Sequence, residues 1–161
     1  MNLETYYETI YKHYYSTLSP STVSGYESSW HLYIKPKFGA WEVEQIRVRD
    51  INIWLTEFES AGAARKAFKI LRQIINAAIA DEVYPDSVAE PKFRSVRQPK
   101  MQPREKPRAL TLREMNQLLR ACYDWQYEAT VICGVWLGLR RSEQCGLQWR
   151  DVNLKTGVVM I

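Results

Sequence analysis

The chain has 161 residues, is 25% charged and carries a formal net charge of +4, which allows one large or two small domains with a core that needs no cross-links. No stretch reaches the ~18 consecutive apolar residues of a membrane span, and Met1-Asn2-Leu3-Glu4-Thr5 lacks the basic start and apolar run of a secretory signal. Cys122, Cys133 and Cys145 form no Cys-x-x-Cys pair and His13 and His31 lie far from them, which argues against a metal site and fits a reducing, cytoplasmic setting.

The first ninety or so residues read as helical. Leu3, Tyr6, Tyr7, Ile10, Tyr11, Tyr14 and Leu18 recur at three- and four-residue steps and predict one wide apolar face, its tyrosines packing against neighbouring helices. Ser19-Pro20-Ser21-Thr22 predicts a stop and a new start. Ser21 or Thr22 is the expected cap of a helix through Tyr26, Trp30 and Tyr33. Ile34-Lys35-Pro36-Lys37-Phe38-Gly39 is expected to end that helix, because proline and glycine both break helices. A third helix is predicted from Val48 to Glu59, with Ile51, Trp54, Leu55 and Phe58 on one side. The fourth, from Ala63 to Glu82, carries Phe68, Leu71, Ile74, Ile75, Ala78 and Ile79 on one stripe. Arg65, Lys66, Lys69 and Arg72 crowd the other side of its first half without an acid among them. Cations near a helix N-terminus oppose its dipole, and a bound phosphate backbone would remove that penalty.

From Lys92 to Arg108 the charge is one-sided. Lys92, Arg94, Arg97, Lys100, Arg104, Lys106 and Arg108 face Glu105 alone. Pro99, Pro103 and Pro107 forbid helix there, and Phe93, Val96 and Met101 are too few to make a core. The stretch reads as an interdomain linker, either an inert tether or a strap lying along a polyanion.

Beyond it, Leu110-Thr111-Leu112-Arg113-Glu114-Met115 predicts a capping box, with Thr111 as cap, Glu114 reaching back and Leu110 stapled on Met115. A mostly apolar helix from Gln126 to Leu137 is expected to be buried. Gly138 ends it, and a short helix from Ser142 to Gln148 follows. Val158 to Ile161 reads as a strand with no partner left in the chain. Arg140 lies between the glycine turn and the helix start, where a guanidinium can fork onto two phosphate oxygens. Glu143 stands three residues on, in reach of Arg140.

The run Gly138-Leu139-Arg140-Arg141-Ser142-Glu143, continued by Leu147-x-Trp149-x-Asp151-Val152, resembles the first active-site arginine motif of the tyrosine recombinases, the phage-integrase family. The Ser/Thr-rich start of the second helix, Ile34-x-Pro36-x-x-Gly39, Ile46-x-x-x-Asp50-Ile51 and the alanine-rich fourth helix are similar to that family's core-binding domain. Two departures are Leu137, where a small hydroxyl residue is common, and Tyr84-Pro85-Asp86, where Asn-Pro is frequent. The resemblance implies a mainly α fold. A four-helix SAM-like core-binding bundle would span 1–91, the basic linker 92–108, and the N-terminal part of a truncated mixed α/β catalytic domain 109–161.

It also implies site-specific DNA recombination through a phosphotyrosine intermediate, with no metal and no other cofactor. Arg140 would be the first catalytic arginine and Glu143 its supporting acid. Thr22, Arg65, Lys66, Lys69, Arg72 and the seven cations from Lys92 to Arg108 would contact double-stranded DNA, and other recombinase protomers would share that DNA. The family's hairpin lysine, His-x-x-Arg motif and nucleophilic tyrosine have no counterpart here, since no tyrosine follows Tyr127. The chain is therefore expected not to cleave DNA alone. The alternative is a non-catalytic module that occupies or regulates recombination sites.

Overall fold

A computed structural model of the chain describes residues 1–84, 91–101 and 108–161, arranged as two units, Met1–Pro103 and Arg104–Ile161. The departure at Pro85-Asp86 lies outside the described residues.

The first unit is built on four helices: α1 over 3–15, α2 over 20–38, α3 at Val48–Thr56 and α4 at Ala61–Ala80. In α1 the Asn2 side chain caps the start by accepting from the Thr5 N–H at 2.8 Å. Its middle, Tyr7–Tyr11, is a π-helical turn. That turn adds a residue to the repeat, so the predicted face shifts. Tyr15 is only 3% exposed, whereas Tyr14 and Leu18, both expected inside, are 53% and 44% exposed. Tyr14 hydrogen-bonds instead: its phenol donates to Asp81 Oδ1 at 2.7 Å, beside Tyr6, which donates to Oδ2 at 2.6 Å. Inside, Tyr7 stacks on Trp30 with ring centroids 3.8 Å apart. The tyrosines pack, as expected of them.

Helix α2 begins differently from the prediction. Ser19 is the N-cap and Pro20 takes the first turn, which leaves Ser21 and Thr22 inside the helix. Nor does Pro36 end it. A π turn at Trp30–Ile34 precedes the proline, and the Lys35 N–H reaches back five residues to the Trp30 carbonyl. The wider turn gives the proline ring room and reroutes the bond it cannot donate. The helix then runs to Phe38. The chain leaves at Gly39, where an added Cβ would sit 2.6 Å from the Lys35 carbonyl oxygen. The Gly39 and Trp41 carbonyls accept from the Glu4 and Leu3 amides and tie this exit to the start of α1.

Asp50 caps α3 by accepting from the Arg47 N–H at 3.2 Å, and Ile51, Trp54 and Leu55 face inward. Helix α4 buries Ala64, Ala67, Phe68, Ile70, Leu71, Ile74, Ile75 and Ala78. Each of the larger side chains contributes roughly 1.5–3 kcal/mol by leaving water, so α4 is the spine of this unit. Phe93 and Val96 join the same core, contrary to the expectation for them. Phe93 packs near Phe68 with ring centroids 6.3 Å apart, and Val96 is 9% exposed.

The second unit holds α5 at Leu112–Ala121, α6 at Glu128–Trp136, α7 at Arg141–Gly146 and an antiparallel hairpin. The capping box forms: the Glu114 N–H donates to Thr111 Oγ1 at 3.3 Å and the Thr111 N–H to Glu114 Oε2 at 2.9 Å. The strand does find a partner in the chain. β1 at Val152–Asn153 pairs with β2 at Val158–Val159, with Val152 opposite Val159. Asn153 Oδ1 accepts from the Lys155 and Thr156 amides, and Gly157 takes the positive φ that closes the turn. Helix α6 is not buried as predicted. Among the described residues this unit buries only Cys122 and Leu139, and Trp136 is 63% exposed. An all-round apolar helix needs more cover than two short helices and a two-residue hairpin supply.

Candidate nucleic-acid interface and phosphate-gripping arginine

Helix α4 presents Arg65, Lys66, Lys69 and Arg72 on its exposed side. The spacing follows from the periodicity, since the intervening Ala67, Phe68, Ile70 and Leu71 are core. Among the described residues none of these four cations pairs with a carboxylate. Lys66 and Lys69 reach the start of α2. With Ser21, Thr22, Gly25 and Tyr26 they line a groove of about 200 Å³. Thr22 thus lies beside two of the predicted contacts, its hydroxyl 2.9 Å from Ser19 Oγ. Two participants escaped the sequence reading. Gly25 leaves room for Lys66, whose Nζ lies 3.5 Å from where a Cβ would stand. Tyr26 donates to Gln73 Oε1 at 2.8 Å and fixes the groove floor. A glycine inside a predicted helix was the available signal for the first.

The basic stretch splits. Lys92, Arg94, Arg97 and Lys100 are exposed on a segment of the first unit. That segment is attached: the Arg97 N–H donates to Asn52 Oδ1 at 2.8 Å, and Arg65 Nε donates to Gln98 Oε1 at 3.3 Å. Arg104 and Lys106 lie outside the described residues. Arg108 belongs to the second unit and is already engaged. Its guanidinium forks onto Glu114 at 2.9 and 2.7 Å. That fork, with the Thr111 bonds, holds the Glu114 carboxyl far below the usual range, at about 2.

Arg140 sits between Gly138, which takes a positive φ, and the first turn of α7. The Leu139 side chain beside it is buried, and Gln144 Nε2 donates to the Leu139 carbonyl at 2.7 Å, which fixes the turn. Glu143 accepts twice from Arg140, at 2.7 Å from the backbone N–H and 2.9 Å from NH1. These bonds lower the Glu143 carboxyl below its ordinary value, the backbone bond first. The Arg140 side chain remains 84% exposed. One edge of the guanidinium is thereby oriented while the group stays open to solvent.

Among the described residues no group of three or more His, Cys, Asp or Glu is placed to hold a metal ion, and no helix is long and apolar enough to cross a membrane.

Comparison with known proteins places a family match on the first unit. The profile described as phage integrase, N-terminal SAM-like domain, matches residues 2–58. A curated protein of Escherichia coli (strain K12), named as defective protein IntQ, is 31% identical over 87 residues. That alignment takes in 54% of this chain and 22% of the relative, so the match spans under a quarter of the relative's length. No solved structure matches the chain.

Proposed function

We propose, from the premise that this chain belongs to the phage-integrase (tyrosine-recombinase) family through its N-terminal SAM-like domain, that it binds double-stranded DNA in site-specific recombination. The observation that carries the reading is the basic side of α4, with no paired acid among the described residues, facing the Ser21–Thr22 groove. Cations gathered without counter-charges repel one another, and a phosphate backbone relieves that repulsion while releasing its own counterions. Lys92, Arg94, Arg97 and Lys100 extend the same charge within the first unit.

Arg140 is assigned the grip on the scissile phosphodiester. Its exposed guanidinium fits a fork onto two non-bridging oxygens, with Glu143 holding the rotamer. In this family a tyrosine attacks that phosphorus and leaves a 3′-phosphotyrosyl link, which a free 5′-hydroxyl later reverses. An arginine on the phosphate stabilises the charge that develops there. Because no tyrosine follows Tyr127 in these residues, binding and phosphate gripping are the roles assigned to this chain, and nucleophilic attack to residues outside it. Other recombinase protomers on the same DNA, and a cytoplasmic setting, go with this reading.

The test is a duplex titration across salt. Contact with about six phosphates predicts that affinity falls by roughly a thousandfold between 50 and 200 mM salt. A flat response would remove the DNA-binding reading.

A further inference from the structure

The stretch from Pro91 to Met101 was expected to be a tether, yet it is pinned to the first unit at several points. Phe93 packs near Phe68 of α4 with ring centroids 6.3 Å apart. Val96 enters the core and is 9% exposed. The Arg97 backbone N–H donates to Asn52 Oδ1 of α3 at 2.8 Å, and Arg65 Nε of α4 donates to Gln98 Oε1 at 3.3 Å. Along α4 the contacts go from Phe68 back to Arg65 as the segment goes from Phe93 to Gln98. The segment therefore runs antiparallel to α4, toward its basic N-terminal half.

We infer that Asn52, Phe93 and Val96 are positioning residues that hold this segment as a fixed strap, so that Arg94, Arg97 and Lys100 meet the DNA backbone in register with the basic side of α4. The inference rests on the DNA-binding reading and adds to it. A loose polycation and a fixed one carry the same charge and differ in ordering cost. On a free tether each cation must be immobilised when DNA binds, and every rotamer-rich side chain ordered at an interface weakens binding. On a strap already seated by a buried valine and a backbone hydrogen bond, the backbone part of that cost is met during folding. The number of phosphates reached is unchanged, so pre-ordering raises affinity without steepening the salt dependence.

Those two quantities separate the roles. In the full chain, Asn52→Ala removes the acceptor for Arg97 and leaves every cation in place. It is expected to speed hydrogen exchange at the Arg97 amide and weaken duplex binding by about three- to tenfold, on the scale of one lost hydrogen bond, with the slope of log affinity against log salt unchanged. Arg97→Ala is expected instead to make that slope shallower by about 0.9. Asn52→Asp keeps an acceptor and should keep the Arg97 amide protected. Helix content by circular dichroism checks that each variant folds. Wild-type affinity in Asn52→Ala, or an Arg97 amide that exchanges freely in the unaltered protein, would overturn the proposal. Failure of the unaltered protein to bind duplex at all would sink the DNA-binding reading as well. The Arg97 exchange rate would then still report whether the strap is seated.

Discussion

Glu114 and Arg140 show what single side chains contribute here. The Glu114 carboxylate accepts from both arms of Arg108, from the Thr111 N–H and from the Thr111 hydroxyl, and is held at about 2. A carboxyl depressed on folding stabilises the folded state fully above its unfolded pKa, about 4.3. That contribution is lost as pH falls through the folded value. Thermal unfolding of Glu114→Gln, followed between about pH 5 and pH 2, should accordingly show a smaller loss of stability on acidification than the unaltered protein. An identical acid limb would mean the fork is not formed in solution. Glu143 is lowered for a related reason, with Arg140 as the partner in each stabilising contact. Arg140→Ala keeps the backbone bond and deletes the guanidinium. The Glu143 carboxyl should then titrate higher, a change that carbon-detected NMR resolves, and an unmoved titration would break the link between the two residues.

At the level of elements, the strongest long-range tie is Asp81, at the C-terminal cap of α4, which receives the phenols of Tyr6 and Tyr14 from α1. Tyr6 is fully buried, so removing its acceptor strands a polar group. Asp81→Ala should cost about 1–3 kcal/mol in denaturant unfolding, and a change within error would show that water replaces the carboxylate. Much of this architecture was legible in the sequence. The stripe of α4, the inward face of α3 and the Thr111–Glu114 box each follow from spacing that holds in the folded chain. The failures have physical causes. The Tyr14 and Leu18 placement assumed 3.6 residues per turn through α1, and the π turn at Tyr7–Tyr11 adds one. Pro36 was read as a stop because a π turn just upstream leaves no mark in the apolar pattern. Phe93 and Val96 were set aside because two apolar residues among prolines show no period, although a strap needs none to fill a core edge. The β1 strand is two residues long, too short for alternation to reveal.

For the whole molecule, the candidate site was readable as chemistry and unreadable as geometry. Arg65, Lys66, Lys69 and Arg72 stood out as cations without acids. That Lys66 and Lys69 border the same groove as Thr22 needed the fold of α2 against α4. Likewise Arg108 was counted with the strap, and only the fold engages it with Glu114. The account's central claim is that the basic side of α4 lies on a DNA backbone. The most direct measurement compares the salt dependence of duplex binding by the unaltered chain with that of a variant carrying Arg65→Ala, Lys66→Ala, Lys69→Ala and Arg72→Ala together. If all four side chains sit on phosphates, the slope of log affinity against log salt becomes shallower by about 3.6, at roughly 0.9 per phosphate, while the helix content stays the same. An unchanged slope in a correctly folded variant would contradict the claim.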